Sequence, residues 1–259
     1  MEEYYLVCED SLEGIFSGIY QAYLLKVPHE RIHIQIGEEE NFRLFAVYRD
    51  CPVKEEWAVK VARTIGTKFG EEAYLAICRA LASPEKDKGE AIYKTVVAGL
   101  KMKKPSEVMG NLKDPYVHRV FELARFTANE AHYHVEFLRF RELENGILYA
   151  PMGPKNNLIT FIVPHFADRL PLENFVIHDD VRNIFAVHPA KKEWYLVTGD
   201  EGMESPLHEF SEDEKKYSAL FEHFFHTIAI KERKNLGLQR NMLPLRYRKY
   251  MTEFPNGKK

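Results

Sequence analysis

The sequence predicts an α+β fold: an N-terminal mixed and helical region, then an antiparallel sheet of about five strands with helices packed on it. Three observations carry this prediction. Short apolar runs recur between residues 136 and 198 with polar turns between neighbours, the pattern of hairpin-linked strands. Longer runs with helical periodicity flank them at 114–135, 158–169 and 211–234. The resulting order is helix, two strands, helix, three strands, helix, which places helices on one face of a sheet.

Taken in chain order, residues 4–8 read as a strand, and Ser11 caps an amphipathic helix that tolerates Gly14 and ends near Lys26. Short strands fit 31–36 and 44–48. A helical pattern covers 54–83, interrupted near Gly66 and Gly70, and another covers 88–102. Connectors at 101–105 and 110–115 set a boundary between an N-terminal region, 1–113, and a C-terminal domain, 114–259. Asp114 and Pro115 open the next helix as a cap followed by proline in the first turn. Val117, Val120, Phe121, Ala124, Ala128, Ala131 and Val135 form its expected apolar stripe. Strands at 136–142 and 146–150 meet at Asn145-Gly146, a strong hairpin signal. After a helix at 158–169, strands fit 174–178, 184–188 and 194–198. Ser211, with Glu212, Asp213 and Glu214 behind it, starts a last helix reaching Lys234. Its apolar face, Leu220, Phe221, Phe224 and Ile228 with Tyr217, is expected to pack on the sheet.

Composition narrows the function classes. A chain of 259 residues with 45% hydrophobic residues can build one large core or two moderate ones. A net charge of −3 argues against a protein that coats DNA over its whole surface. A local basic patch stays open, because steering depends on where charges sit. No apolar run approaches the roughly 20 residues of a membrane-spanning helix, and the acidic start Met1-Glu2-Glu3 lacks the positive start of a secretory signal. Cys8, Cys51 and Cys78 form neither a disulfide framework nor a zinc knuckle. The expectation is a cytoplasmic protein with no membrane partner, no cofactor and no resident metal. Gly-x-Gly-x-x-Gly, the Gly-Lys-Ser/Thr phosphate loop, His-Glu-x-x-His and Gly-x-Ser-x-Gly are all absent. That argues against a nucleotide-driven motor, a dinucleotide enzyme and a zincin. It does not argue against an enzyme as such, because histidine and carboxylate chemistry leaves no compact motif.

Two groups of residues suit anion chemistry. From Arg233 to Lys259, eight lysines and arginines stand against one acid, Glu253. Arg246 and Arg248 bracket Tyr247; arginine forks match phosphate bidentately and tyrosine stacks on bases. The alternative for this segment is a basic tail paired with the acidic N-terminal half. Opposite the apolar face of the last helix stand His223, His226 and Arg233. They suit an anion groove or a solvated face, or a metal pair at i, i+3, although no third ligand is implied. The second group is dispersed. His118, Arg125, Asn129 and His132 share a polar stripe on the Asp114 helix; His165 and Arg169 end another helix; Asp179 and Arg182 sit in a turn. Arg139, Arg169 and Arg182 beside Asp179 and the histidines make a candidate anion pocket, with His132, His165 and Asp179 as acid–base groups. The alternative is a structural ion-pair network, with Asp179 and Asp180 orienting a tight turn.

Several segments together carry a resemblance. They run from Ser11-Leu12-Glu13-Gly14-Ile15-Phe16 and Tyr20-Gln21-Ala22-Tyr23 through Glu130-Ala131-His132 and Phe137-Leu138-Arg139-Phe140. They continue in His165-Phe166-Ala167-Asp168-Arg169 and Phe175-Val176-Ile177-His178-Asp179-Asp180-Val181-Arg182. The most specific are Ile230-Lys231-Glu232-Arg233-Lys234-Asn235 and Leu243-Pro244-Leu245-Arg246-Tyr247-Arg248, followed by Thr252-Glu253. In order and spacing these resemble a family of DNA-metabolism proteins of unknown function, encoded beside a radical-SAM protein and sometimes fused to a uracil-DNA-glycosylase-like domain. The chain departs from the family pattern at Arg248, where an aromatic is usual, and at Phe175, where tryptophan is. The resemblance implies a role in DNA modification or repair, with nucleic acid, a radical-SAM protein and a uracil-DNA-glycosylase-like protein as partners. It adds Asn235 to the phosphate-binding candidates Arg139, Arg169, Arg182, Arg233, Arg246, Tyr247 and Arg248. Two alternatives stand beside it: a hydrolase or base-processing enzyme using the His/Asp/Arg pocket, and a protein-interaction scaffold.

Overall fold

The computed structural model describes residues 2–37, 43–199, 209–228 and 235–254, without the side chain of His226. The chain divides into two compact units, Met1–Asn129 and Glu130–Lys259.

The first unit is built on three parallel strands. β1 (Glu3–Cys8), β2 (Ile32–Ile36) and β3 (Ala46–Asp50) lie in the order β2-β1-β3, with Tyr4 opposite both Ile32 and Val47. Parallel neighbours cannot be joined by a tight hairpin, and the chain runs through α1 (Leu12–Leu24) between β1 and β2. Ser11 caps α1, its Oγ accepting from the Gly14 amide at 2.9 Å. Gly18 on this helix approaches the strands so closely that a Cβ there would lie 2.3 Å from Cys8 Sγ. α2 (Glu55–Phe69), α3 (Glu71–Leu81) and α4 (Lys88–Lys101) follow. The helical run breaks at Gly70, whose φ of 88° suits glycine. Gly66, the other expected interruption, stays inside α2. Leu6, Phe16, Ile32, Ile65, Ile77 and Tyr93 are fully buried in one core.

α5 (Pro115–Phe137) starts in the first unit and ends in the second. Asp114 caps it by accepting from the Tyr116 amide at 2.9 Å. Its buried face is Val117, Val120, Leu123, Ala124, Thr127, Glu130 and His134. The expected stripe holds in part: Val117, Val120 and Ala124 are buried and Ala131 and Val135 pack on the core of the second unit, while Phe121 is exposed.

Among the described residues the second unit holds five strands in chain order: β4 (Arg141–Glu142), β5 (Leu148–Met152), β6 (Phe175–Asp179), β7 (Ile184–His188) and β8 (Tyr195–Thr198). All neighbouring pairs are antiparallel except β5 and β6, which run parallel with Ala150 opposite Ile177. The exception has a simple cause. α6 (Ile159–Arg169) lies between those two strands, and a helical crossover delivers the chain back in the same direction. α5 continues to Phe137, so β4 is shorter than the strand expected at 136–142. At the hairpin, Gly146 has φ 77°, and Asn145 Oδ1 accepts from the Ile147 amide. Leu158, Ile159, Ile162, Val163 and Phe166 of the α6 segment pack on Ala150, Met152, Phe175, Ile177 and Ala186.

α7 (Glu212–Thr227) corrects a second expectation. Leu220, Phe221, Phe224 and Ile228 are exposed, at 62%, 42%, 56% and 56%, rather than packed on the sheet. The helix is tied instead by its polar first turn. Ser211 Oγ accepts from the Glu214 amide and donates to Glu142 Oε2, while Glu214 accepts from the Glu142 amide at 3.1 Å. Arg141 pairs with Glu214 and stacks over Phe210, 3.5 Å from its ring centre. α8 (Leu236–Met242) and α9 (Leu245–Arg248) complete the unit. Among the described residues no helix is long and apolar enough to cross a membrane.

The α6 seam predicts a specific cost. Ile162→Ala removes a fully buried side chain and is expected to destabilise the second unit by about 2–5 kcal/mol, read as a lower denaturant midpoint for that unit.

Candidate functional site

In the second unit, polar side chains gather around one carboxylate. Glu130, 4% exposed on the buried face of α5, accepts from the backbone amides of Lys155 and Asn156 at 3.1 and 2.9 Å and from Asn156 Nδ2. Arg246 Nη1, from α9, lies 3.1 Å from the same Oε1 that Lys155 reaches. One side chain thus fixes both the loop between β5 and α6 and the last short helix.

The same loop holds a second ion pair. Arg182, in the turn between β6 and β7, donates from Nη1 to Pro154 O at 3.2 Å and to Asp179 Oδ2 at 3.1 Å, and from Nη2 to Lys155 O. Asp179, fully buried, also accepts from the amides of Val181 and Arg182. Next to it Asp180 accepts from Tyr250 Oη at 2.6 Å and from Lys249 Nζ at 3.1 Å, while its own amide donates to Met152 O. Burial, followed by the Asp180 hydrogen bond, pushes the Tyr250 phenol up to about 12.

The C-terminal segment packs its rings inward. Tyr247, 3% exposed, meets the rings of Tyr133, His134 and Phe137 on α5 at 5.6, 4.9 and 5.9 Å. Its hydroxyl accepts from Arg246 Nη2 at 2.7 Å. Arg248 is fully buried, with its guanidinium 4.8 Å from the centre of the Phe254 ring and Nη2 donating to Leu243 O. Glu253, also buried, accepts from Arg139 Nη2 and Nε at 2.8 and 3.2 Å. Burial, reinforced by Arg246 and partly offset by Glu130, lowers the His134 imidazole to about 4, so it is neutral near pH 7. Its buried Nε2 meets no hydrogen-bond partner among the described residues.

These positions revise the sequence reading. Asp179 and Arg182 do come together, and Arg246 joins them through the Glu130 loop. Asp179 is occupied by three donors, which suits turn orientation better than proton transfer. His132 lies exposed on α5, 3.0 Å from Glu136, and His165 lies exposed on α6 against the edge of Phe166. Among the described residues no hydrogen bond joins either histidine to Asp179. Arg169 is exposed at the end of α6, and Arg139 is committed to Glu253. Asn235 caps α8, its Oδ1 accepting from the Leu238 amide at 3.0 Å. Tyr247 and Arg248 are corrected most plainly: burial withdraws both from any base or phosphate outside. His223 is exposed, while Arg233 and the His226 side chain lie outside the described residues.

The sequence reading assigned no role to Glu130, which it placed only in the Glu130-Ala131-His132 motif, nor to His134 and Asn156. The signal for the first two is their spacing. They extend the buried row Val120, Leu123 and Thr127 at helical intervals, and a charged residue on a buried row implies partners. Asn156 left no signal, because its role depends on a loop conformation.

Comparison with known proteins gives little beyond the family. A family model described as DUF4130, domain of unknown function, matches residues 86–253. No curated protein matches the chain. A solved structure, titled as the DHH domain of a member of a family of ribosomal proteins, is 9% identical, with a TM-score of 0.33, over 72% of this chain and 73% of that one.

Glu130→Ala leaves the loop amides and Arg246 without their acceptor and is expected to cost about 3–5 kcal/mol, the scale of breaking a buried pair. Glu130→Gln keeps an acceptor for the amides and should cost less; denaturant titration of both variants ranks them. The lowered His134 value makes a pH prediction. Between the ordinary value of 6.5 and about 4 the unfolded chain takes up a proton that the folded chain refuses. Stability is therefore retained above 6.5 and lost as pH falls towards 4, by at most roughly 1.4 kcal/mol per pH unit. His134→Phe should flatten that part of an unfolding-versus-pH curve.

Proposed function

The chain belongs to the DUF4130 family of unknown function, and from that premise we propose that its C-terminal unit binds nucleic acid through the phosphate backbone. The carrying observation is that Arg182, Arg246 and Lys249 pair with the carboxylates of Asp179, Glu130 and Asp180 around the loop that carries Lys155. Three cations pair with three carboxylates, two of which are buried. Lys155 is exposed, as are most of the Lys249 side chain and part of Arg246. A guanidinium held from behind by a carboxylate keeps further N–H groups for a second anion and loses little freedom in meeting it. A phosphodiester fits these donors, and its release of counterions supplies affinity.

The cellular role in this reading is DNA modification or repair beside a radical-SAM protein. Its support is the motif resemblance running from Ser11 to Glu253. Three cysteines without a cluster-binding spacing leave radical chemistry to that partner. A second reading, the interaction scaffold, is favoured by the exposed apolar face of α7 from Tyr217 to Ile228; its occupant would be the radical-SAM protein.

Lys155→Ala and Lys249→Ala together test the binding. Both side chains reach solvent, so the fold is expected to hold. Titration of single-stranded and duplex oligonucleotides at several salt concentrations should show weaker binding. The log–log salt slope should flatten by about 0.7 to 0.9 for each phosphate no longer neutralised. Affinity and slope identical to the parent chain would transfer the role to the scaffold reading.

A further inference from the structure

Outside that site, the first unit places two sulfurs side by side. β1 ends at Cys8, and Cys51 directly follows β3. The parallel register sets Val7 opposite Asp50, and the Cys51 amide donates to Val7 O at 2.9 Å, so the next rung brings Cys8 beside Cys51. Neighbouring strands run about 4.8 Å apart, within the Cα separation of roughly 4.4–6.8 Å that a disulfide spans. Both sulfurs lie over the same turn of α1: a Cβ on Gly18 would sit 2.3 Å from Cys8 Sγ and 3.9 Å from Cys51 Sγ. The glycine leaves the room that the thiols occupy. Cys78, on α3, is not part of this arrangement.

We infer that Cys8 and Cys51 form a thiol–disulfide exchange site, a dithiol that a low-molecular-weight disulfide converts to an intramolecular disulfide. Interaction with the neighbouring thiol, followed by burial, raises Cys8; the same interaction lowers Cys51 against its own burial, with Lys54 adding to it. Cys51 is therefore the readier thiolate of the two. Both thiols are buried, Cys51 the less completely, at 7% exposure against 2%.

The chemistry balances in two exchanges. The Cys51 thiolate attacks one sulfur of the small disulfide; its S–S bond breaks, one small thiolate leaves, and a mixed disulfide forms on Cys51. Cys8 then loses its proton to solvent and attacks Cys51 Sγ, expelling the second small thiolate. The two leaving thiolates take up protons at their own equilibrium. The protein dithiol is oxidised by two electrons, and the small disulfide is reduced to two thiols. The product covalently ties β1 to β3 beside the start of α2, and a small dithiol reverses it.

The test uses the full chain in native buffer with excess oxidised glutathione, followed by denaturation and titration of free thiols. The three thiols of the chain should fall to one, peptide mapping should join Cys8 to Cys51, and dithiothreitol should restore all three. Cys78→Ser should lower the end point from one to none without changing the pairing. Cys8→Ser removes the resolving thiol and should trap glutathione on Cys51, visible as a mass gain of the intact protein. Three free thiols after native oxidation, a pairing that includes Cys78, or glutathione on Cys78 alone would each overturn the assignment.

Discussion

Removing a carboxylate from water costs several kcal/mol unless donors meet it on the inside, and Glu130 is met by four. Two are backbone amides of one loop, one is the side chain of Asn156, and one comes from Arg246, more than a hundred residues along the chain. The loop so held turns Pro154 O and Lys155 O towards Arg182, and Arg182 in turn satisfies Asp179. Tyr247 then closes over three aromatic neighbours on the same helix that carries Glu130. Each step uses a group positioned by the previous one, so the basic edge of this unit exists only because a negative charge lies beneath it.

That order explains how cations in ion pairs can still serve an anion outside. Pairing fixes their direction, and the unused donors of a guanidinium point away from the carboxylate that holds it. Arg248 shows the opposite use of the same residue type. Its guanidinium lies against Phe254 inside the protein. Stacking and packing are what it supplies there, with Nη2 donating to the Leu243 carbonyl.

Much of the fold was legible because local rules decided it. Ser11, Asp114 and Ser211 cap helices as side-chain chemistry dictates, Gly70 breaks a helix with a left-handed φ, and Asn145-Gly146 turns a hairpin. The five strands of the second unit follow from alternation and turns, while the parallel pairing of β5 with β6 does not, because direction depends on where α6 returns the chain. The site was half legible. Asp179 and Arg182 are three residues apart and met as local neighbours do. Exposure was the harder quantity: Tyr247 and Arg248 read as a nucleic-acid motif, and His132 reads as chemistry, because sequence gives no view of what covers a side chain. The apolar face of α7 failed in the other direction, with hydrophobic periodicity present and no burial behind it.

The closures at Glu130 and Arg139 join α5 and the residues just after it to the far end of the chain, Arg139 reaching a partner 114 positions away. Closing a loop of that length has an entropic cost that must be met before its contacts return anything. During synthesis α5 emerges long before α9, so Glu130 and Tyr133 must wait without their partners until residues 246–253 leave the ribosome. The second unit is thus completed from its two ends, and a growing chain exposes half of an aromatic cluster for nearly half of its elongation. That interval is where a chaperone would act and where aggregation competes with folding.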